Sequence, residues 1–118
     1  MNVIVTGAAG YIGGQIALQL KGAGHTVIGI DRRPLQKHQV GQIDNFLQAD
    51  FDSDIAYKKL LDTQPDAIVH CAGTSLVGPS IKKPSEYYDN NVAKTMNLLN
   101  FIVQALPKIR FIFSSSAA

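Results

Sequence analysis

Three glycines spaced by three, in Gly7-Ala8-Ala9-Gly10-Tyr11-Ile12-Gly13, are the residues of this chain best suited by type and spacing to hold a ligand. A diphosphate has to approach the main chain where a Cβ would collide, so a turn that cradles one is built of glycine. A helix that starts directly afterwards offers it unpaired N–H groups and the positive end of a dipole. The spacing G-x-x-G-x-x-G is one residue wider at the front than the dinucleotide fingerprint G-x-G-x-x-G. Tight strand-to-helix turns favour glycine for their own reasons, so a second signal is needed. Asp31 provides it, eighteen residues beyond Gly13 at the end of the next apolar run. A carboxylate there can accept hydrogen bonds from the adenosine ribose hydroxyls. Arg32 and Arg33 could reach a ribose 2′-phosphate, but Asp31 would repel it, which favours NAD over NADP. His70 and Cys71 also invite a chemical reading. A histidine at a strand end without an oriented partner reads first as a hydrogen-bonded structural residue, and Cys71 as a small buried one. No metal site is expected.

These residues must be positioned by an alternation of strands and helices. Val3-Ile4-Val5 is a short strand, and the helix after the glycine turn carries Ile12, Ile16 and Leu20 on one side. Gly22 and Gly24 stop that helix near Lys21, with His25 solvated in the turn. Thr26 to Ile30 is a second strand; Pro34 and the polar run to Gln42, with His38, read as a loop. A weak third strand lies within Ile43–Ala49, and Asp54–Leu61 is a short helix offering Ile55, Leu60 and Leu61 to the core. Ala67-Ile68-Val69-His70 is a fully apolar strand, as in a parallel sheet covered on both faces. A longer helix begins near Pro84 and presents Tyr88, Val92, Thr95, Met96, Leu99, Val103 and Leu106 to the sheet until Pro107 ends it. Ile109–Phe113 is a fifth strand, followed by Ser114-Ser115-Ser116. The pattern predicts an α/β, Rossmann-like doubly wound parallel sheet in strand order 3-2-1-4-5 with right-handed crossovers. Ligands then sit outside the C-terminal strand ends where the order reverses, and Gly7–Gly13, Asp31, Cys71–Ser75 and Ser114–Ser116 all map to that edge.

A chain of 118 residues suffices for one domain with a core, and 17% charged against 46% hydrophobic residues argues against disorder. A net charge of +2 is too small to indicate nucleic acid or an anionic membrane. The single cysteine excludes an internal disulfide framework and fits a reducing, cytoplasmic setting. Residues 1–20 carry no charged side chain, yet they lack a basic start and contain four glycines, so neither a signal peptide nor a membrane span is expected.

With these residues assembled, the whole chain resembles the N-terminal part of UDP-glucose 4-epimerases, within the extended short-chain dehydrogenase/reductase superfamily. The resemblance is carried by Val5-Thr6-Gly7-x-x-Gly10-Tyr11-Ile12-Gly13, Asp31, Asp50 and His70-x-Ala72-Gly73. It continues through Val77-Gly78-x-Ser80-x-x-x-Pro84-x-x-Tyr87-Tyr88-x-Asn90-Asn91-Val92 and Phe111-Ile112-Phe113-Ser114-Ser115-Ser116-Ala117. It implies that Tyr11 and Ile12 cover the NAD diphosphate, and that Asp31 with its following loop, from Arg32, holds the adenosine ribose. Asp50 and Phe51 would sit at the adenine, the carboxylate facing the exocyclic amine and the ring stacking. Cys71, Ala72, Gly73 and Ser75 would line the nicotinamide side. Asn90 would hydrogen-bond near the cofactor, and Ser116 would meet the sugar hydroxyl being oxidised. The implied chemistry is reversible oxidation at C4 of a UDP-hexose, with a tyrosine base assisted by lysine in a Tyr-x-x-x-Lys pair.

None of the four tyrosines here has lysine four residues on: Gln15, Leu61, Asn91 and Val92 follow Tyr11, Tyr57, Tyr87 and Tyr88. The chain therefore reads as an incomplete NAD-binding domain, residues 1–118, without a substrate domain, and catalytically incompetent by itself. A non-catalytic NAD-binding or assembly module, or part of a sugar-nucleotide dehydratase or reductase, are the alternatives. Two departures weaken cofactor contacts: Ser75 stands where a lysine is usual, and Lys94 where Asn-Asn-Val-x-Gly-Thr has glycine. The exposed fifth strand is expected to promote self-association.

Overall fold

A computed structural model describes residues 1–72 and 92–113. Five parallel strands form one sheet: β1 (Asn2–Thr6), β2 (Thr26–Asp31), β3 (Asn45–Gln48), β4 (Ala67–His70) and β5 (Arg110–Phe113). Their spatial order is β3-β2-β1-β4-β5, as the alternation predicts. β1 lies at the centre, Val3 opposite Val27 on one side and Ala67 on the other. The order reverses between β1 and β4, which opens a crevice at their C-terminal ends.

The helices are α1 (Tyr11–Gly22), α2 (Asp54–Thr63) and α3 (Lys94–Ala105), with a 3₁₀ turn at Lys37–Gln39 in the segment read as loop. Side chains alternate across the strands and make two unlike cores. Val3, Val5, Val27 and Val69 meet Ala17 of α1 on one face. Ile4, Ile28, Ile30 and Ile68 meet Leu60 of α2 and Leu98 and Ile102 of α3 on the other. Small residues on the α1 side let the helix approach closely; larger ones fill the opposite layer.

The core-facing sides of the helices match the expected ones in part: Ile16 and Leu20 of α1 pack on the core and Leu60, Thr95 and Leu106 are buried, while other positions differ. In α1 Gly13 and Ala17 are buried while Ile12 is exposed. In α2 Ala56 and Leu60 point inward, whereas Ile55 and Leu61 face outward. Ser53 fixes that phase by accepting the Ala56 N–H at 3.3 Å as the N-cap. In α3 the packed stripe is Thr95, Leu98, Ile102 and Leu106, and Val92, Met96 and Val103 are exposed. That helix is apolar most of the way round, so steps of three and four fit two stripes, and contact with the sheet chooses between them. Tyr88 and the start near Pro84 lie outside the described residues. No helix among the described residues is long and apolar enough to cross a membrane.

Candidate ligand crevice at the strand reversal

The glycine turn connects β1 to α1, and its glycines have different reasons to be glycine. Gly7 has φ +72°, a left-handed conformation, and a Cβ there would lie 2.8 Å from the Ala72 nitrogen. A Cβ on Gly13 would lie 2.1 Å from the Gly7 carbonyl oxygen, so α1 can rest on the turn only without one. Gly10, the N-cap of α1, has φ −83° and ψ 173°, an extended backbone open to any residue. Its Cβ would meet the Gly7 oxygen at 3.3 Å and the movable end of Arg33 at 3.0 Å. The fold therefore demands Gly7 and Gly13, while Gly10 leaves room for the end of Arg33. Among the described residues no side chain caps α1, and no acidic residue stands in its first turn, where Tyr11 and Ile12 are exposed.

Asp31 closes one side of the turn. Its carboxylate is buried and accepts the Ala9 N–H and the Arg33 N–H, each at 2.9 Å. The Arg33 guanidinium stands 3.4 Å from the same carboxylate and extends over Gly10. Two backbone donors thus hold Asp31 in place, so a 2′-phosphate arriving there would meet a carboxylate unable to swing away. Arg32 is exposed, and its carbonyl accepts from Gln48 Nε2 at 3.4 Å. Behind the turn, buried Gln39 donates to the Ala8 carbonyl at 3.3 Å and accepts the Gln36 N–H at 2.9 Å. A hollow of ≈ 190 Å³ opens here between α1 and the 3₁₀ turn, reached by Gly10, Tyr11, Gly14, His38 and Gln39. The sequence offered no signal for Gln39 or the placement of Arg33, because both come from a segment without periodicity.

The other wall is tied to the first by one hydroxyl. Thr6 Oγ1 accepts the N–H groups of Cys71 at 3.1 Å and Ala72 at 3.2 Å. Its single proton then goes to His70 Nδ1 at 2.7 Å, which makes Nδ1 the acceptor and leaves the ring proton on Nε2, donated to Thr95 Oγ1 at 3.1 Å. His70 is buried, and burial pushes its pKa down to about 4. It is the neutral, structural histidine expected from the sequence, and it joins β1, β4 and α3 at the crevice floor. Cys71 is half-buried, and desolvation raises its thiol to about 11, so it is no ready nucleophile.

Past β3, Asp50 Oδ2 is paired with Lys94 Nζ of α3, and Asp50 Oδ1 accepts the Asp52 N–H at 3.2 Å. Burial disfavours the Asp50 charge, but the Lys94 hydrogen bond and ammonium and the Asp52 N–H outweigh it and leave the pKa below the usual value. Lys94, expected only to disturb helix packing, is instead a partner of this carboxylate. Phe51 is 8% exposed, its ring 4.6 Å from that of His70 in an edge-to-face pair. Its ring is spent on the core, which corrects the expectation that it stacks on a base. Tyr57 donates to Asp52 and stacks on Phe101 at 4.4 Å. Desolvation, the Asp52 bond and neighbouring carboxylates raise its pKa, the opposite of what a phenolate base requires. Gly73, Ser75, Asn90 and Ser116 lie outside the described residues. No cluster of metal-binding side chains occurs among the described ones.

The crevice thus joins a glycine turn, a helix N-terminus, a fixed carboxylate and a second carboxylate one strand further out. Comparison with known proteins points the same way. The model of the NAD dependent epimerase/dehydratase family matches residues 3–118. A UDP-glucose 4-epimerase of Klebsiella pneumoniae is 38% identical over 126 residues, covering 99% of this chain and 90% of that one. Another, of Halalkalibacterium halodurans, is 41% identical over 123 residues, covering all of this chain and 35% of that one. The crystal structure of UDP-glucose 4-epimerase from Bifidobacterium longum in complex with NAD+ and UDP superposes with a TM-score of 0.87 at 32% identity. It covers 99% of this chain and 37% of that one. Against the last two, the chain spans little more than a third of the relative's length.

Proposed function

The chain belongs to the NAD dependent epimerase/dehydratase family, and from that membership we propose that it is the NAD-binding portion of a nucleotide-sugar epimerase similar to the UDP-glucose 4-epimerases. The observation that carries this reading is Gly10, a glycine that its backbone conformation does not require, set at the uncapped start of α1 beneath the movable end of Arg33. In this reading Gly7, Gly10, Tyr11, Ile12 and Gly13 receive the diphosphate, and Asp31 and Arg32 the adenosine ribose. Asp50 and the backbone at Phe51 face the adenine, and Cys71 and Ala72, continuing to Gly73 and Ser75, flank the nicotinamide, with Asn90 nearby. NAD, when bound, supplies a hydride acceptor for a sugar carbinol and a donor for the ketone.

The chain's own contribution is to bind and orient. Asp31 presents acceptors to ribose hydroxyls, the turn presents N–H donors, and the Thr6–His70 pair keeps the two walls at a fixed separation. Ser116 is assigned to the reacting sugar hydroxyl. Without a Tyr-x-x-x-Lys pair in its 118 residues, the chain alone is proposed not to epimerise a UDP-sugar. Its composition and single cysteine support a cytoplasmic location.

Calorimetric titration of the folded chain with NAD and NADP tests this reading. Saturable binding of NAD, and weaker binding of NADP because of Asp31, is the expected result. A folded chain that takes up neither dinucleotide at millimolar concentration would refute it.

A further inference from the structure

The Asp31 carboxylate has no acceptor capacity to spare. Oδ2 accepts the Ala9 N–H and Oδ1 the Arg33 N–H, each at 2.9 Å. The Arg33 guanidinium spans both oxygens as well, Nε to Oδ1 and Nη2 to Oδ2, each at 3.4 Å. A carboxylate offers about four lone-pair directions, which these donors fill, and only 4% of the side chain is exposed. A ribose hydroxyl that donates to Asp31 must therefore displace one of them. The two backbone N–H groups are fixed by the turn. The guanidinium is not: its contacts are longer than the ~2.7–2.9 Å of a strong charge-assisted bond, and 63% of the Arg33 side chain is exposed.

The displaced guanidinium has a second anion site within reach. Its Nη2 lies 3.0 Å from where a Gly10 Cβ would stand, over the turn that starts α1. A diphosphate laid on that turn meets it directly, and phosphate oxygens match the guanidinium fork in geometry and charge. Resting on the reading of the glycine turn as diphosphate site and Asp31 as ribose acceptor, we propose that Arg33 is an exchangeable counter-ion of the dinucleotide site. It closes Asp31 in the free chain and passes to the diphosphate on binding, which opens two lone pairs to the ribose hydroxyls. Arg33 thereby couples the two subsites. A ligand with both ribose and diphosphate exchanges one ion pair for another, whereas a nucleoside breaks the first and forms no second.

Calorimetric titration of the unaltered chain and Arg33→Ala with adenosine, ADP and NAD tests the exchange. The N–H of residue 33 survives the substitution, so Asp31 stays held and the turn intact. In Arg33→Ala, ADP and NAD should weaken by at least about tenfold, the loss of one charge-assisted hydrogen bond. Adenosine should instead tighten by about threefold or more as Asp31 opens. Arg33→Lys keeps the charge without the fork and should recover part of the ADP affinity. A merely structural Arg33 would move all three ligands in the same direction. Unchanged ADP and NAD affinities in Arg33→Ala, an adenosine affinity that fails to rise, or a lysine variant no better than alanine overturns the proposal and leaves the NAD reading intact. Uptake of neither ADP nor NAD by the folded unaltered chain overturns both.

Discussion

Gly10→Ala separates what the fold needs from what a ligand needs. At the N-cap of α1 the extended backbone, φ −83° and ψ 173°, accepts alanine without strain. The new methyl meets only the Gly7 oxygen at 3.3 Å and the end of Arg33 at 3.0 Å, and the guanidinium can rotate aside. Alanine is a poorer N-cap than glycine by up to about 1 kcal/mol, offset by roughly 0.4–1 kcal/mol from the less flexible unfolded chain. Stability should therefore change by no more than about 1 kcal/mol. Binding should suffer far more, because the methyl occupies the surface a diphosphate must touch and holds it off the N–H groups. Loss of one or two charge-assisted bonds, at ~1.5–3 kcal/mol each, predicts a fall in NAD affinity on the order of a hundredfold. The control is Gly13→Ala, where a Cβ 2.1 Å from the Gly7 oxygen must lift α1 from the turn and should cost about 3 kcal/mol or more. Urea unfolding gives the stabilities and calorimetry the affinities. The reasoning is refuted if Gly10→Ala binds NAD as well as the parent, or if Gly13→Ala proves the less destabilising of the two.

The remaining predictions concern the floor and edges of the crevice. Because the folded His70 pKa lies near 4, below its ordinary 6.5, the unfolded chain binds the extra proton first as pH falls. The stability of neutral His70 is then fully present above pH 6.5 and declines towards pH 4, by about 3 kcal/mol in all; His70→Asn should flatten that slope in pH-dependent urea unfolding, and an equal slope in both proteins would contradict it. Spectrophotometric titration should find Tyr57 still protonated above the ordinary phenol range, and Tyr57→Phe should remove that late-titrating group. Exposed Ile112 and Phe113 on edge strand β5 predict self-association, to be read by sedimentation at rising concentration, with Ile112→Lys expected to shift the chain towards monomer; a parent that stays monomeric at high concentration would count against it.

The strand order was legible because periodicity and glycine placement are local signals. Val3-Ile4-Val5 and Ala67–His70 are apolar on both faces, and each is followed by a close turn. The faces of the helices were less legible. Ile55 and Leu61 look like core residues in composition, yet Ser53 sets a phase that buries Ala56 and Leu60 instead. Small residues were undervalued in the same way: Gly13 and Ala17 make the contact that Ile12 was expected to make. At the site, Gly7, Gly10, Gly13 and Asp31 could be read from spacing. Gln39 and Lys94 could not, since each meets its partner across the fold, and Arg33, though only two residues from Asp31, lies in a turn whose path no periodicity marks. Phe51 shows the reverse error, an aromatic beside a suitable carboxylate whose ring is already committed to His70.

The central position of β1 has a consequence for the order of events during synthesis. Its first partner, β2, follows within thirty residues, but Val3 also needs Ala67. At about 5–20 residues per second, a newly made β1 waits roughly 3 to 13 s for that neighbour. Until β4 arrives, Thr6 has no histidine to donate to, and Gly7 has no Ala72 to pack against. The residues of β1 thus reach their final surroundings only after β4 has been made.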